Sequence, residues 1–395
     1  MRMENVENAP MRMLNAWTLE LDDPAVAVAQ ILEQLDLENR LLAHSAGFIT
    51  CSSDYVETGM VKAICDALPF EVVGCTTLTN AVNQEGGTLL LCLSVLTADD
   101  CRFVTALTPP LGDTAHTAIT ETFQHTAAQL GDRPGLILAF LPMLGAISGE
   151  FMLHALNEAA SGAPVFGTIA CDSDTAHYSN SFTIHNGVCS RDSISMLLIS
   201  GNVRPHFVVT ATSEQNLQKQ QAIITSSEGS LLKKVNDMSA QEYFASIGLT
   251  HGKSIEGLSS VPFVVNYNDG SQPVARAIYS LNDDGSASCG GIMPEGGTLS
   301  IGRMDVDDIL LTAEQSLEKL LKSAGVNSII MFPCLGRNMV LGMTPLSEIE
   351  KVRGILGESL PWHLAYSGGE LCPVYGSNGH TINRFHNFTF IACAI

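Results

Sequence analysis

One order of segments occurs three times along this chain and limits the folds it can adopt. Each copy opens with a continuous apolar run, continues through a helical pattern and a short extended segment from proline to glycine, and closes with an apolar strand. Opening runs lie at 43–50, 135–141 and 328–332, and closing strands lie at 88–96, 193–200 and 388–394. Continuous apolar runs are typical of parallel strands covered on both faces. We therefore predict an α/β fold of two domains, built from duplicated strand-helix-strand units with mixed sheets.

The length of the chain, 395 residues, also favours two domains, because a single hydrophobic core seldom grows beyond about 300 residues. The stretch Ser226–Ser230 is rich in serine and has no hydrophobic periodicity, so it predicts an exposed connector. We place one domain at 20–225 and the other at 231–395. Limited proteolysis is expected to cut between Gln220 and Ser230.

Charge and hydropathy exclude several classes of function. The formal net charge is −21 and no run of lysine and arginine occurs, whereas a nucleic-acid or anionic-membrane surface needs a basic patch. No apolar run approaches the ~20 residues that cross a bilayer, so we expect no membrane insertion. Residues 1–13 lack the apolar segment of a signal peptide. The 11 cysteines are odd in number and lie mostly in apolar runs, which favours reduced thiols in a cytoplasmic protein.

Motifs for nucleotides and metals are weak. Gly290-Gly291 and Gly296-Gly297 lack the spacing of a dinucleotide or P-loop motif and predict turns between strands. Neither Cys-x-x-Cys nor His-Glu-x-x-His occurs. The nearest group of metal-ligating residue types is Cys171, His177, His185 and Cys189. Its spacing matches no structural zinc site, so polar loop residues are the main alternative.

Polar side chains concentrate at predicted strand ends near the C-terminus, where open α/β sheets bind ligands. They include Cys334, Arg337, Glu370 and His386. An arginine can bind a carboxylate through two parallel hydrogen bonds. A glutamate can bind an amine, and an imidazole can donate, accept or ligate a metal. The alternative is a buried ion pair between Arg337 and Glu370 that joins two loops without any ligand.

These residues also form an ordered set of motifs. Cys334-Leu335-Gly336-Arg337 follows an apolar strand, Gly369-Glu370 comes next, and His386-Asn387 precedes Thr389 and the closing strand. In this order, and in Pro294-Glu295-Gly296 upstream, the chain resembles the FIST family of bacterial signal-transduction proteins. The resemblance implies a FIST N-type domain followed by a FIST C-type domain that carries the ligand site. It also implies that the chain is a small-molecule sensor.

The chain departs from the family pattern just before Gly369-Glu370. Relatives tend to carry bulky aromatic residues there, whereas this chain has Ala365 and Gly368 on either side of Tyr366. Smaller residues predict space for a larger, flatter ligand. The predicted ligand-binding residues are Cys334, Arg337, Ala365, Tyr366, Gly368, Glu370, Asn383 and His386.

One branch of the family is described as haem-binding and nitric-oxide-sensing, and it acts on histidine kinases or cyclic-di-GMP enzymes. The resemblance therefore implies haem as a cofactor, which needs an axial ligand in an apolar slot and a basic group near its propionates. His386 and His363 are the predicted axial ligands, and Arg337 or Arg384 is the predicted propionate partner. No Cys-x-x-Cys-His occurs, which excludes covalent attachment. The alternative for each histidine is a structural role in the core.

Three functions remain open at this point. We favour a cytoplasmic sensor that binds a small molecule and regulates a partner histidine kinase or cyclic-di-GMP enzyme by contact. A cysteine-dependent hydrolase or transferase would use Cys334 as nucleophile, His386 as base and Glu370 to orient the base. Against it, no helix N-terminus is predicted after Cys334 to stabilise a thiolate. A ligand-free adaptor is the third alternative.

Overall fold

The computed structural model describes residues 11–174, 177–250, 258, 260–323, 325–377 and 379–395. Strands of its first half are β1 (Arg12–Thr18), β2 (His44–Cys51), β3 (Val72–Thr76), β4 (Asn80–Val82), β5 (Gly86–Gly87), β6 (Leu91–Ala98), β7 (Cys101–Leu107), β8 (Leu136–Leu141), β9 (Val165–Ile169), β10 (Thr183–His185), β11 (Val188–Ser190), β12 (Ser195–Gly201) and β13 (His206–Thr210). Helices of this half are α1 (Pro24–Leu35), α2 (Leu37–Arg40), α3 (Asp54–Glu57), α4 (Met60–Ala67), α5 (Ala115–Leu130) and α6 (Gly149–Ala160).

The second half follows a short 3-10 helix at Glu214–Asn216. Its strands are β14 (Ala222–Glu228), β15 (Leu231–Val235), β16 (Met238–Ser239), β17 (Phe263–Asn266), β18 (Val274–Arg276), β19 (Ile278–Leu281), β20 (Ala287–Cys289), β21 (Thr298–Ile301), β22 (Ile329–Met331), β23 (Trp362–Ala365), β24 (Glu370–Tyr375), β25 (Thr381–His386) and β26 (Phe390–Ala394). Its helices are α7 (Ala240–Ser246), α8 (Val306–Leu320), α9 (Leu335–Leu341) and α10 (Ser347–Leu356). In the described part of the chain, no helix is long and apolar enough to cross a membrane.

Three parallel strand pairs form the frame of the fold. β2 pairs with β3, β8 with β9 and β22 with β23. The strand that closes each unit, β6, β12 or β26, lies antiparallel to the opening strand. Along the chain, each pair of parallel strands is connected through a helix, which is α4, α6 or α10. The predicted α/β class, with duplicated units and mixed sheets, is confirmed.

Alternation along β8 shows why the opening strands are apolar on both faces. Leu136, Leu138 and Phe140 pack into a central core shared by the three units. The residues between them face α5 and α6. Phe140 meets the corresponding rings of the other two units, with ring centroids 6.4 Å from Phe48 and 6.0 Å from Phe332. Each of these fully buried side chains contributes roughly 1.5–3 kcal/mol to stability by leaving water.

Two of the sheets contain strands from both halves of the chain. One six-stranded sheet has the order β25-β24-β9-β8-β12-β7, so the late hairpin β24–β25 extends the sheet of the second unit. Another has the order β13-β26-β22-β23-β4-β5, so the early hairpin β4–β5 extends the sheet of the third unit. The remaining sheets are β1-β6-β2-β3-β10-β11 and β18-β17-β21-β14-β15-β20-β19, with β16 beside β15. The halves are therefore joined by backbone hydrogen bonds as well as by side chains.

The prediction of a connector at Ser226–Ser230 is wrong, although residues 228–230 are exposed as expected. Residues 222–228 form β14, which pairs with β15 in an antiparallel hairpin, and Ser226 lies opposite Lys234. Gly229 makes the turn with a positive φ of 58°, which glycine adopts without steric cost. Serine is tolerated here because Ser226 and Ser227 are only partly buried and the Ser227 hydroxyl donates to Met293 O at 2.6 Å. The boundaries 20–225 and 231–395 stay predictions.

Candidate functional site

Cys334 lies at the end of the third opening strand and begins a helix. It is the N-cap residue of α9, and its Sγ accepts a hydrogen bond from Gly336 N at 3.4 Å. The expectation that no helix N-terminus follows Cys334 is therefore wrong. The thiol is nevertheless a poor nucleophile, because burial and then the nearby Glu370 carboxyl raise the pKa of Cys334 well above its ordinary value.

Arg337 is fully buried, but its ionic partner is Glu348 and not Glu370. Its Nε and Nη2 donate to Glu348 Oε1 at 3.0 and 2.5 Å, and Nη2 also donates to Ile309 O at 2.9 Å. The Tyr366 hydroxyl donates to Glu348 Oε2 at 2.8 Å. The buried ion pair expected as a structural alternative thus exists with a different partner. Through their shared partner Glu348, Arg337 and Tyr366 join α9, α8 and α10 to the end of β23.

Glu370 is a fully buried carboxyl. Its Oε2 accepts hydrogen bonds from Thr389 N at 3.2 Å and Thr389 Oγ1 at 2.8 Å. Its Oε1 has no partner among the residues that the structure describes. Burial raises the pKa of Glu370 to about 8 against the lowering effect of Thr389. The carboxyl therefore carries a proton at neutral pH.

The two predicted axial histidines are both fully buried. His363 is bonded at both ring nitrogens, with Thr50 Oγ1 and Ser94 Oγ each 2.8 Å away. The Nε2 of His386 lies 3.0 Å from Cys372 O, and its Nδ1 has no partner in the described part of the molecule. Burial lowers the pKa of each histidine to about 3, so both rings are neutral. His363 has no ring nitrogen free for a metal.

The last three predicted ligand-binding residues lie in different surroundings. Ala365 packs in the central core, so the space expected beside it is filled. Asn383 ties β25 to neighbouring segments, since its Nδ2 donates to Ala163 O at 2.9 Å and its Oδ1 accepts from Val165 N at 2.8 Å. Gly368 lines a cavity. The structure brings Cys334, Glu370 and His386 to one end of β24, but of the eight predicted residues only Gly368 lies on that cavity's wall.

The cavity has a volume of about 610 Å³ and lies at the carboxyl end of β8 and β9. One wall is the loop 142–148 with the first turns of α5 and α6. The other wall comes from the second half of the chain. Its residues are Ser230, Tyr279, Cys289, Gly290, Gly291, Gly368 and Phe385. The cavity is therefore built by both halves.

The inner surface of the cavity combines apolar and polar groups in comparable amounts. Met143, Ile169 and Phe385 supply apolar surface, and Ser148 caps α6 by accepting from Phe151 N at 3.2 Å. The N-terminal turns of α5 and α6 add partial positive charge at the wall. Such a combination is typical of small-molecule pockets.

Tyr279 connects the cavity with the buried cluster around Glu370. Its side chain lines the cavity and the residue is 55% exposed, whereas its hydroxyl is buried and lies 3.5 Å from Asn387 Nδ2. Burial of the hydroxyl raises the pKa of Tyr279, and the neighbouring Cys334 and Glu370 raise it further. The Tyr279 side chain therefore extends from the exposed cavity to the buried groups around Glu370.

Sequence reasoning missed the cavity because its walls lie far apart in the chain. The only local signal was the pair Gly290-Gly291, which predicted a turn. A Cβ at Gly290 would lie 2.2 Å from Asn387 Oδ1, and a Cβ at Gly291 would lie 2.6 Å from Glu150 Oε2. Glycine is required here for close approach of separate segments, rather than for turn geometry.

Metal binding finds no support in the described residues, where no group of three or more histidine, cysteine, aspartate or glutamate side chains could hold an ion. His185 of the predicted group instead lies 2.9 Å from Thr105 Oγ1 through its Nε2. Burial lowers the pKa of His185. Cys171 is buried in the first half, whereas His177 is exposed and pairs with Asp174.

Comparison with known proteins gives a family. The model of the FIST N domain matches residues 45–238, and the model of the FIST C domain matches residues 238–373. No curated protein matches the chain. Among solved structures, the crystal structure of cyanuric acid hydrolase from A. caulinodans is similar over 98% of each chain, with 11% identity and a TM-score of 0.39. That likeness is too low to carry an argument about function. The two matched models cover most of the chain in the expected order, and the protein therefore belongs to the FIST family, whose domains are sensor domains of signal transduction.

Proposed function

We propose that this chain senses a small molecule which binds in the 610 Å³ cavity between its two halves. The observation that carries the proposal is that neither half builds the cavity alone. The loop 142–148 and α6 form one wall, and Gly290, Gly291 and Phe385 form the other. A ligand that contacts both walls favours the arrangement in which they are close together. Ligand occupancy can therefore change the position of the 290–291 segment relative to the loop 142–148 and α6.

The lining points to a ligand with an apolar body and a polar end. Met143, Ile169 and Phe385 would contact the body. The first turns of α5 and α6 would face the polar end, because backbone N–H groups at helix N-termini lack partners within the helix. The Ser148 and Tyr279 side chains border the same space and can add hydrogen bonds at its edge.

Haem is the finer ligand that the family resemblance suggests, and of the two histidines named as its axial ligands only His386, with its unpartnered Nδ1, keeps a ring nitrogen free of other partners in the described part of the molecule. Both nitrogens of His363 are hydrogen-bonded, Arg337 is paired with Glu348, and the Arg384 Nη2 is paired with Asp269 Oδ2 at 2.5 Å. Titration with haemin, followed by the Soret band, tests the prediction directly. A band lost in His386→Ala or His363→Ala would restore these residues as ligands.

The enzyme alternative has less support than the sensor. A cysteine nucleophile needs a thiolate, and burial raises the pKa of Cys334 well above its ordinary value. The proposed base, His386, makes a hydrogen bond through Nε2 to Cys372 O rather than to the thiol. We propose instead that the output passes by contact to a separate histidine kinase or cyclic-di-GMP enzyme in the cytoplasm, as the family resemblance suggests.

The ligand site is tested with 1-anilinonaphthalene-8-sulfonate, which has an apolar body and an anionic end. Gly145 lines the cavity and a Cβ there would meet no atom within 4 Å, so Gly145→Leu adds bulk at the cavity wall without strain. Gly354 on α10 also has open space around its Cβ position, and Gly354→Leu is the matched control. We expect probe fluorescence to fall in Gly145→Leu and to persist in Gly354→Leu. Equal fluorescence in both variants would show that the probe binds elsewhere and would contradict the proposal.

A further inference from the structure

Arg276, at the end of β18, is a fully buried cation beside the cavity wall. Its Nη2 donates to Glu150 Oε2 at 3.2 Å and to the Tyr267 hydroxyl at 2.6 Å. Its Nε donates to Ile292 O at 3.2 Å, and its Nη1 donates to Phe385 O. One guanidinium group therefore connects α6 of the first half with three separate segments of the second half.

Glu150 completes the connection from the other side. It lies in the first turn of α6, and its Oε2 also accepts a hydrogen bond from Ile292 N at 3.2 Å. Gly291 lies directly against the pair, since its Cβ would be 2.6 Å from Glu150 Oε2 and 2.8 Å from Arg276 Cζ. Gly291 and Phe385 both line the cavity. The ion pair thus stands immediately behind the two walls.

The pair is not needed to hold the two halves together as a whole. Backbone pairing of β24 with β9 and of β23 with β4 already joins them. A buried ion pair also adds little net stability, because desolvation of both charges offsets their attraction. The pair instead has a geometric consequence. Through the bonds of Glu150 and Arg276 to Ile292, it fixes the distance between α6 and the 290–292 segment, which lies in a loop.

We propose that the Arg276–Glu150 pair holds the cavity walls in the ligand-binding arrangement and couples α6 to the second half when a ligand binds. The inference rests on the proposed ligand site. Both are positioning residues, and they act by fixing walls before the ligand arrives, which lowers the ordering cost that binding must meet. Movement of α6 is transmitted through Arg276 to Tyr267, Ile292 and Phe385 together.

The first test measures the affinity of the full chain for 1-anilinonaphthalene-8-sulfonate. Glu150→Gln keeps the shape of the side chain but removes its charge, and we expect it to weaken probe binding about tenfold. We expect Arg276→Gln to weaken probe binding to a similar extent. The double variant should bind no more weakly than the weaker single variant, because each single change already breaks the pair. Glu348→Gln is the control, since it breaks a buried ion pair that lies away from the cavity.

The outcomes separate this inference from the proposed function. Probe binding that is lost in Gly145→Leu but unchanged in Glu150→Gln leaves the ligand site standing and overturns the role of the ion pair. If probe binding is unchanged in Gly145→Leu, both the proposed ligand site and the role of the ion pair are overturned. Equal weakening in Glu348→Gln would make the effect one of general stability and would also overturn the inference.

A second measurement uses the wild-type protein and needs no Arg276 variant. When the probe binds, amide hydrogen exchange should slow at 149–152, which line the cavity, and also at 265–267, which do not, because Arg276 connects Tyr267 to Glu150. In Glu150→Gln only 149–152 should respond. Independent responses in the wild-type protein would refute the coupling.

Discussion

Replacing Glu370 with glutamine should change how the stability of the protein depends on pH. The wild-type carboxyl is buried, and its pKa is raised from 4.5 to about 8. Between these values the folded protein holds a proton that the unfolded chain releases. The favourable contribution is complete below pH 4.5 and is lost as the pH rises through about 8. Its slope is about 1.4 kcal/mol per pH unit, so the change across this window is on the order of 5 kcal/mol.

Urea unfolding from about pH 5 to about pH 8 measures this effect. Glutamine is uncharged throughout, so the stability of the wild type relative to Glu370→Gln should fall by about 1.4 kcal/mol per pH unit. Taking the difference removes the other titrating groups, which both proteins share. Thr389→Val removes one hydrogen-bond donor that favours the ionised carboxyl, so the pKa of Glu370 should rise further. In the Thr389→Val protein, the loss of stability should therefore continue to higher pH. Parallel curves for wild type and Glu370→Gln would mean that the buried carboxyl is ionised, which would refute the reasoning.

Two further predictions concern stability. Glu348→Ala leaves Arg337 as an unpaired buried charge and should lower the free energy of unfolding by about 3–5 kcal/mol in urea titrations; a loss below about 1 kcal/mol would show that the guanidinium finds other partners. Gly167→Ala would place a Cβ 1.9 Å from Ala139 O between two parallel strands, so this variant should yield little soluble protein while Gly354→Ala remains soluble. Normal yield and melting temperature for Gly167→Ala would contradict the close approach of these strands.

The repeated units could be predicted from sequence because their signal is local. A strand buried on both faces is apolar at every position, as residues 136–141 are, and a capped helix follows its own rules of spacing. The 222–235 hairpin was missed because a serine-rich strand at the surface resembles a connector in composition. Helix α9 was missed because its seven residues are too few for a periodic pattern.

The candidate site was predicted less well because its contacts join distant parts of the chain. Arg337 and Glu370 are each in polar motifs, but only the packing of α9 against α10 decides that Arg337 pairs with Glu348. Likewise, sequence cannot show that Glu150 and Arg276 meet behind Gly291. Side-chain types indicate what chemistry is available, whereas tertiary structure decides which groups satisfy one another.

Each half contributes a hairpin to a sheet of the other half: β4–β5 extends the sheet of the third unit, and β24–β25 extends the sheet of the second unit. This arrangement affects how the protein folds during synthesis on the ribosome. Val82 pairs with His363, and Thr168 pairs with Glu370. At roughly 5–20 residues per second, the partner strand of β4 emerges roughly 15–60 s after β4 itself. During that delay β4 and β9 have open edges that can pair with other nascent chains. Production of the first half alone would make this exposure permanent, so chimaeras between related sensors should exchange the hairpins together with the sheets that they complete.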